Sequence, residues 1–247
     1  MIYITGSNGL IGRSLKKNLS KFVSISYRDN LDGSQVRKKQ LDKFIDVMPK
    51  YLSKLGKKYK FKIIIVEQGN SKKFNRGVLL NVGFLIAEHN VDYFIFHDID
   101  LFPDKDMLKY YACFPFQPIH LAHIWTKYGV DGKYFGGVNS FNKEDFRKIN
   151  GYPNDYWGWG GEDDELYDRV VNCNLTVINP KNGTYQEMEH NKPTKEEVNP
   201  NKMRLRLQHK NWKKNGLNNV EYSFLKNKNN KKVNKLNDHS FLVKIDF

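Results

Sequence analysis

The chain has 247 residues, 39% hydrophobic and 14% aromatic, which suffices for one sizeable core and is too apolar for a disordered chain. Its formal charge of +14 fits nucleic acid, an anionic membrane surface or a phosphorylated substrate without choosing among them, and a solvated lysine-rich surface explains it equally well. The two cysteines, Cys113 and Cys173, lack metal-type spacing and argue against a disulfide framework or a cysteine-based zinc site, and no run approaches the roughly 20 apolar residues of a membrane span.

In chain order, MIYITGSNGLIGRSL runs from a short apolar strand through Gly6, Gly9 and Gly12 into a helical stretch, a turn that can present backbone N–H groups to a pyrophosphate. Asp29 stands where a ribose-binding carboxylate could follow, but the only Tyr-x-x-x-Lys pair, Tyr222 and Lys226, falls near the C-terminus. A strand and helix at a sheet edge is the simpler reading; a nicotinamide-dependent oxidoreductase is kept as an alternative. Next come a strand at 22–27 (FVSISY), a helix in GSQVRKKQLDKFIDVMPKYLSKL, a strand at 62–68 (KIIIVEQ), a helix at 76–89 and the strand VDYFIFHDIDLF. This β-α-β-α-β order predicts an α/β fold with a mostly parallel central sheet flanked by helices and ligands at the strands' carboxyl ends. FGGVNSF reads as a further strand, NKEDFRKING as a short helix closed by Gly151, EDDELYDRVVN as a helix, 226–235 as a flexible loop and SFLVKIDF as a last strand.

Two segments carry chemistry. In FIFHDIDLFPD, strand alternation predicts that Asp98 and Asp100 share one face at the strand's end, where carboxylates suit Mg²⁺ or Mn²⁺ and hence a diphosphate; acidic caps on a turn explain the same residues. In GYPNDYWGWGGEDDEL (151–166), glycines flank Trp159, whose ring can cover a sugar, and Glu162, Asp163 and Asp164 open a helix whose N-terminus favours an ionised carboxylate able to act as a base. An aromatic core plug followed by an acidic N-cap is the structural alternative.

FNRGVLLNVGF (74–84), FHDIDLFP (96–103), YFGGVNSFNKEDFRKINGYPNDYWGWGGEDDEL (134–166) and GLNNVEY (216–222) resemble, in order, the β-1,4-galactosyltransferases, an inverting, metal-dependent family with the GT-A fold. The resemblance runs over residues 22–247 and leaves residues 1–21, with the glycine turn, as a separate strand-helix extension.

The resemblance implies transfer of galactose from UDP-galactose to a sugar hydroxyl in β-1,4 linkage, with Mn²⁺ as cofactor. Tyr27 and Arg28 match a UDP-contacting motif, with Ser26 replacing its proline, and Phe74, Asn75 and Arg76 match a segment that packs on and bonds to the nucleotide. Asp98 belongs to the donor site, and Asp100 is implied as a metal ligand together with His190 and Met188, Glu187 being the alternative to Met188. Tyr134 matches a tyrosine that crowds the donor's C2 position, and Trp159 a mobile-loop tryptophan shared by donor and acceptor. Asp163 matches the catalytic base, with Glu162 beside it, and Glu162 and Asp164 match acceptor-side carboxylates.

The implied partners are UDP-galactose and a sugar, glycan or glycolipid acceptor, with another UDP-sugar, UDP-N-acetylgalactosamine or UDP-glucose, as the alternative donor. Nucleic acid is not expected, because the aromatics cluster with carboxylates rather than cations. Lysines in 191–214 leave a peripheral membrane contact open. Cys113 occupies a family disulfide position whose partner position holds Tyr93, and neither a signal peptide nor the family's anchor helix is evident. The expectation is therefore a bacterial or viral cytoplasmic protein, in which the sequons at Asn174 and Asn182 carry no meaning.

Overall fold

The computed structural model describes residues 20–27, 36–124, 134–188, 195–208, 211–226 and 231–247. The glycine turn of residues 1–12 and Asp29 lie outside the described residues. Ten strands and six α-helices are described, with short 3₁₀ turns between some of them. In order they are β1 (Ser20–Tyr27), α1 (Val36–Ser53), β2 (Lys60–Gln68), α2 (Arg76–Ala87), β3 (Tyr93–His97), β4 (Leu101–Pro103), α3 (Leu108–Tyr111), β5 (Ile119–His120), β6 (Val138–Asn142), α4 (Lys143–Lys148), α5 (Glu162–Asn172), β7 (Tyr185–Glu187), α6 (Lys195–Gln208), β8 (Ser223–Leu225), β9 (Val233–Lys235) and β10 (Ser240–Asp246).

The main sheet runs β5-β6-β3-β1-β2-β10-β8, with β9 also on β10, while β4 and β7 form a separate antiparallel pair. Its centre, β3, β1, β2 and β10, is parallel, and β5, β6, β8 and β9 are antiparallel. Helices cover both faces, so β2 and β3 read as continuous apolar runs rather than alternating ones. Ile63, Ile65, Tyr93 and Ile95 face Phe44 and Met48 of α1 on one side. Ile64, Val66, Phe94 and Phe96 meet Leu79 of α2, Phe146 of α4 and Leu166 and Val170 of α5 on the other.

Three expectations need correction. β3 ends at His97, so Asp98 and Asp100 lie in the turn to β4 and do not share a strand face. The turn is closed by Asp98 N–H donating to the Gly137 carbonyl (3.0 Å) and Leu101 N–H to the Asp98 carbonyl (3.4 Å). Residues 233–235 of the expected loop pair with β10 as a strand. A helix, α6, occupies 195–208 within the segment read only as basic; Pro200 inside it and its mixed polar sequence hid the helical period.

Candidate active site

The carboxyl ends of β1, β2 and β3, together with the amino ends of α2 and α5, converge on Arg76. Asn75 caps α2: its Oδ1 accepts from Val78 N–H (3.0 Å), its Nδ2 donates to the Asn154 carbonyl (2.7 Å), and its own N–H donates to Gln68 Oε1 (2.9 Å). Asn75 is fully buried, and these bonds fix the helix that carries Arg76. Phe74, half-buried, packs against the cluster under α2.

Arg76 donates from Nε to Asp98 Oδ1 (2.9 Å) and from Nη1 to Asp163 Oδ1 (3.4 Å), with Glu162 Oε1 at 3.6 Å and the Tyr152 ring centroid at 5.5 Å. Burial opposes its charge, but Asp98, Tyr152, Asp163 and Glu162 outweigh that and keep it cationic. Among the described residues, its Nη2 and Glu162 Oε2 are buried without a hydrogen-bond partner. Burial lifts Asp98 to about 6, against the pull of Arg76 and with the push of Asp100 and Asp163. Burial and then Asp163 hold Glu162 well above the ordinary carboxylate range. Asp164, exposed at the next position of the helix, is raised to about 6 by partial burial and by Asp163 and Asp168.

Asp163 lies against backbone. A Cβ on Gly136 would stand 2.2 Å from Asp163 Oδ2 and 2.7 Å from the Tyr134 ring, so carboxylate and ring meet over a residue that must lack a side chain. Tyr134 in turn packs edge-on against His120 (5.5 Å), whose Nε2–H reaches the Gly136 carbonyl (3.0 Å). The turn into α5 is equally constrained: Gly161 has φ 92°, and a Cβ there would meet the Tyr156 ring at 2.6 Å. Trp157 stacks on Phe247 (5.6 Å), whereas Trp159, two residues on, is half-exposed with its carbonyl held by Asn201 Nδ2 of α6 (3.0 Å).

Asp100 is largely buried, with Arg37 of α1 at 3.6 Å, and its carbonyl accepts from Met188 N–H (2.8 Å) just beyond the Leu101–Glu187 pairing of β4 and β7. A divalent cation fits this end of the molecule: the carboxyls of Asp98, Asp100, Glu162 and Asp163 outnumber the guanidiniums of Arg37 and Arg76 that face them. Glu187 and Met188 both reach the turn that holds Asp100, while His190 lies outside the described residues. Among the described residues no three His, Cys, Asp or Glu side chains form a metal cluster on their own. Tyr27 ends β1 opposite Glu67, at the same end of the sheet, and Arg28 lies outside the described residues.

The sequence reading missed His97 and Arg169. His97 is fully buried; its Nδ1–H donates to the Asp98 carbonyl (2.7 Å), and its Nε2 accepts from the Tyr111 hydroxyl (2.7 Å), which contacts Tyr185 OH (3.1 Å). Arg169 of α5 is buried and binds Glu165 and the carbonyls of Gly151 (2.9 Å) and Asn215 (2.7 Å). An ionisable residue inside an apolar run was the available signal for His97.

A mostly parallel sheet with an acidic turn and an acidic helix start at its carboxyl edge defines a nucleotide-sugar transferase fold of the GT-A type. Residues 25–114 match the N-terminal region of glycosyl transferase group 7, and residues 120–191 match the N-terminal domain of galactosyltransferase. The chain belongs to the β-1,4-galactosyltransferase family. It is 44% identical over 171 residues to rat β-1,4-galactosyltransferase 4, covering 66% of this chain and 49% of the relative, and 37% identical to mouse β-1,4-galactosyltransferase 1, covering 66% and 42%. The chain thus spans about half the length of the curated relatives it matches. A crystal structure of the catalytic domain of Drosophila β-1,4-galactosyltransferase 7 in complex with xylobiose superposes with a TM-score of 0.76 at 29% identity, covering 92% of this chain and 93% of that one. A mutant of that protein, in complex with manganese, UDP-Gal and xylobiose, superposes with a TM-score of 0.73 at 28% identity, over the same shares of the two chains.

These relatives correct the expected compartment. They are animal β-1,4-galactosyltransferases, so a bacterial or viral cytoplasmic setting is withdrawn. That expectation rested on an unpaired cysteine position and a missing anchor, and a chain spanning half of its relatives says nothing about an anchor. Among the described residues no helix is long and apolar enough to cross a membrane.

Proposed function

We propose that the chain is an inverting galactosyltransferase that moves galactose from UDP-galactose to a sugar hydroxyl in β-1,4 linkage. The observation that carries this reading is the Asp163 carboxylate lying over Gly136 beside Tyr134 and tied through Arg76 to Asp98. Asp163 takes the proton of the acceptor hydroxyl as its oxygen bonds to the anomeric carbon and the bond from that carbon to UDP breaks. Glu162, held by burial well above the ordinary carboxylate range, stands beside the base. Arg76 holds the base and the donor-side Asp98 in one frame, and its unpartnered Nη2 is available to a donor oxygen. Tyr134 limits room at the donor sugar, and Trp159 covers the acceptor against Asp164. Asp100, His190 and Met188 would hold Mn²⁺, which would supply positive charge to the leaving diphosphate. Xylobiose and UDP-Gal, bound by the Drosophila proteins, are the first ligands to try.

The test is UDP release from UDP-galactose with Mn²⁺ and with xylose, xylobiose or N-acetylglucosamine as acceptor. Asp163→Asn is expected to lower acceptor-dependent release by about 10²–10⁴-fold while UDP-galactose binding persists. Release that survives Asp163→Asn, or none from the folded wild type with any acceptor, overturns the reading.

A further inference from the structure

At the amino ends of β2 and β10, opposite the active site, the chain gathers exposed lysines, with Asp92 before β3 and Asp104 and Asp106 beside Tyr51 as the neighbouring acids. Lys54, Lys57, Lys58, Lys60 and Lys62 are all exposed, and segment 54–62 contains no acid. Lys235, at the end of β9, joins them through the sheet: Lys235 pairs with Phe241 in register, Ile63 N–H donates to the His239 carbonyl (2.7 Å), and Lys62 lies 5.9 Å from the Phe241 centroid. Segment 231–241 contributes one acid, Asp238, and that is bonded to Lys235 (2.8 Å). β2 spans nine residues between this end and the approach to Arg76, roughly 25–30 Å.

We propose that this lysine end is a docking face for an anionic lipid surface, which would hold the molecule with its active site turned away from the bilayer. Clusters of about 4–8 cationic side chains suffice for such adsorption. The face does not suit nucleic acid: its cations are all lysine, which cannot make the bidentate contacts of arginine to bases and phosphates. Nor does it offer a stacking platform. Phe61 is buried and stacked on His239 (4.3 Å), and lysines lie over the Tyr59 and Phe241 rings. The proposal stands apart from the transferase reading, because none of these lysines is near the site.

The experiment is co-sedimentation of the full chain with phosphatidylcholine vesicles, pure or with about a third phosphatidylserine, at about 0.1 M and about 0.5 M salt. Binding is expected only to the anionic vesicles at low salt. The triple variant Lys57→Glu, Lys58→Glu, Lys60→Glu should bind at least about tenfold more weakly. A control with the same charge change away from this end, Lys148→Glu, Lys213→Glu, Lys214→Glu, beside Asn150, should still bind; all six positions are exposed, so folding is not at stake. Equal loss in both variants, no preference for anionic vesicles, or tighter binding to a 20-base-pair DNA duplex than to vesicles at the same salt overturns the proposal.

Discussion

A methyl group on Gly136 would stand 2.2 Å from Asp163 Oδ2 and 2.7 Å from the Tyr134 ring, and both groups it meets are side chains rather than backbone. Gly136→Ala should therefore fold, losing about 1–3 kcal/mol, while the displaced carboxylate lowers kcat by about 100-fold; urea unfolding and UDP release on the same variant separate the two effects. The histidines under the site make a pH prediction. Burial lowers both His97 and His120 to about 4, so each is neutral in the folded chain. A folded value below the ordinary 6.5 contributes stability that is complete above that pH and is lost as pH falls towards 4, about 3 kcal/mol apiece. Asp98 has the opposite sense: raised to about 6, it costs stability as pH rises from its ordinary value through 6. Imidazole NMR between pH 8 and 5 should leave His97 and His120 untitrated, and midpoints near 6.5 for both would contradict their burial. None of this was legible in the sequence, because FIFHDID gives a histidine in an apolar run without saying that Tyr111 and Tyr185 come to meet it.

At the scale of elements, α5 carries Glu162, Asp163 and Asp164 at one end and is fastened by Arg169 two turns later. Arg169→Met should cost about 3–5 kcal/mol in urea unfolding, since Glu165 and two carbonyls lose a buried cation; adding Glu165→Leu should recover part of it. The sequence made α5 legible through its acidic first turn and apolar stripe, and made β2 and β3 legible through runs too apolar for a sheet with a wet face. It did not reveal α6 or β9, whose stability comes from distant partners: Asn201 holding the Trp157 and Trp159 carbonyls (3.2 and 3.0 Å), and β10 beside β9. The convergence of Asp98, Arg76 and Asp163 was legible only through the family resemblance, because residues 22 and 87 apart meet through sheet order rather than local pattern.

For the whole molecule, the surplus charge is unevenly distributed. Carboxyls crowd the carboxyl edge of the sheet around Arg76, and bare lysines occupy the other end of β2. On the docking proposal, charges so separated give this part of the molecule a dipole along β2. Near a charged boundary such a body experiences a torque before it makes contact, within about one Debye length, 8–10 Å at moderate salt. Approach and orientation are then one event: a chain drifting towards an anionic sheet arrives lysines first, and in stronger salt it tumbles in at random.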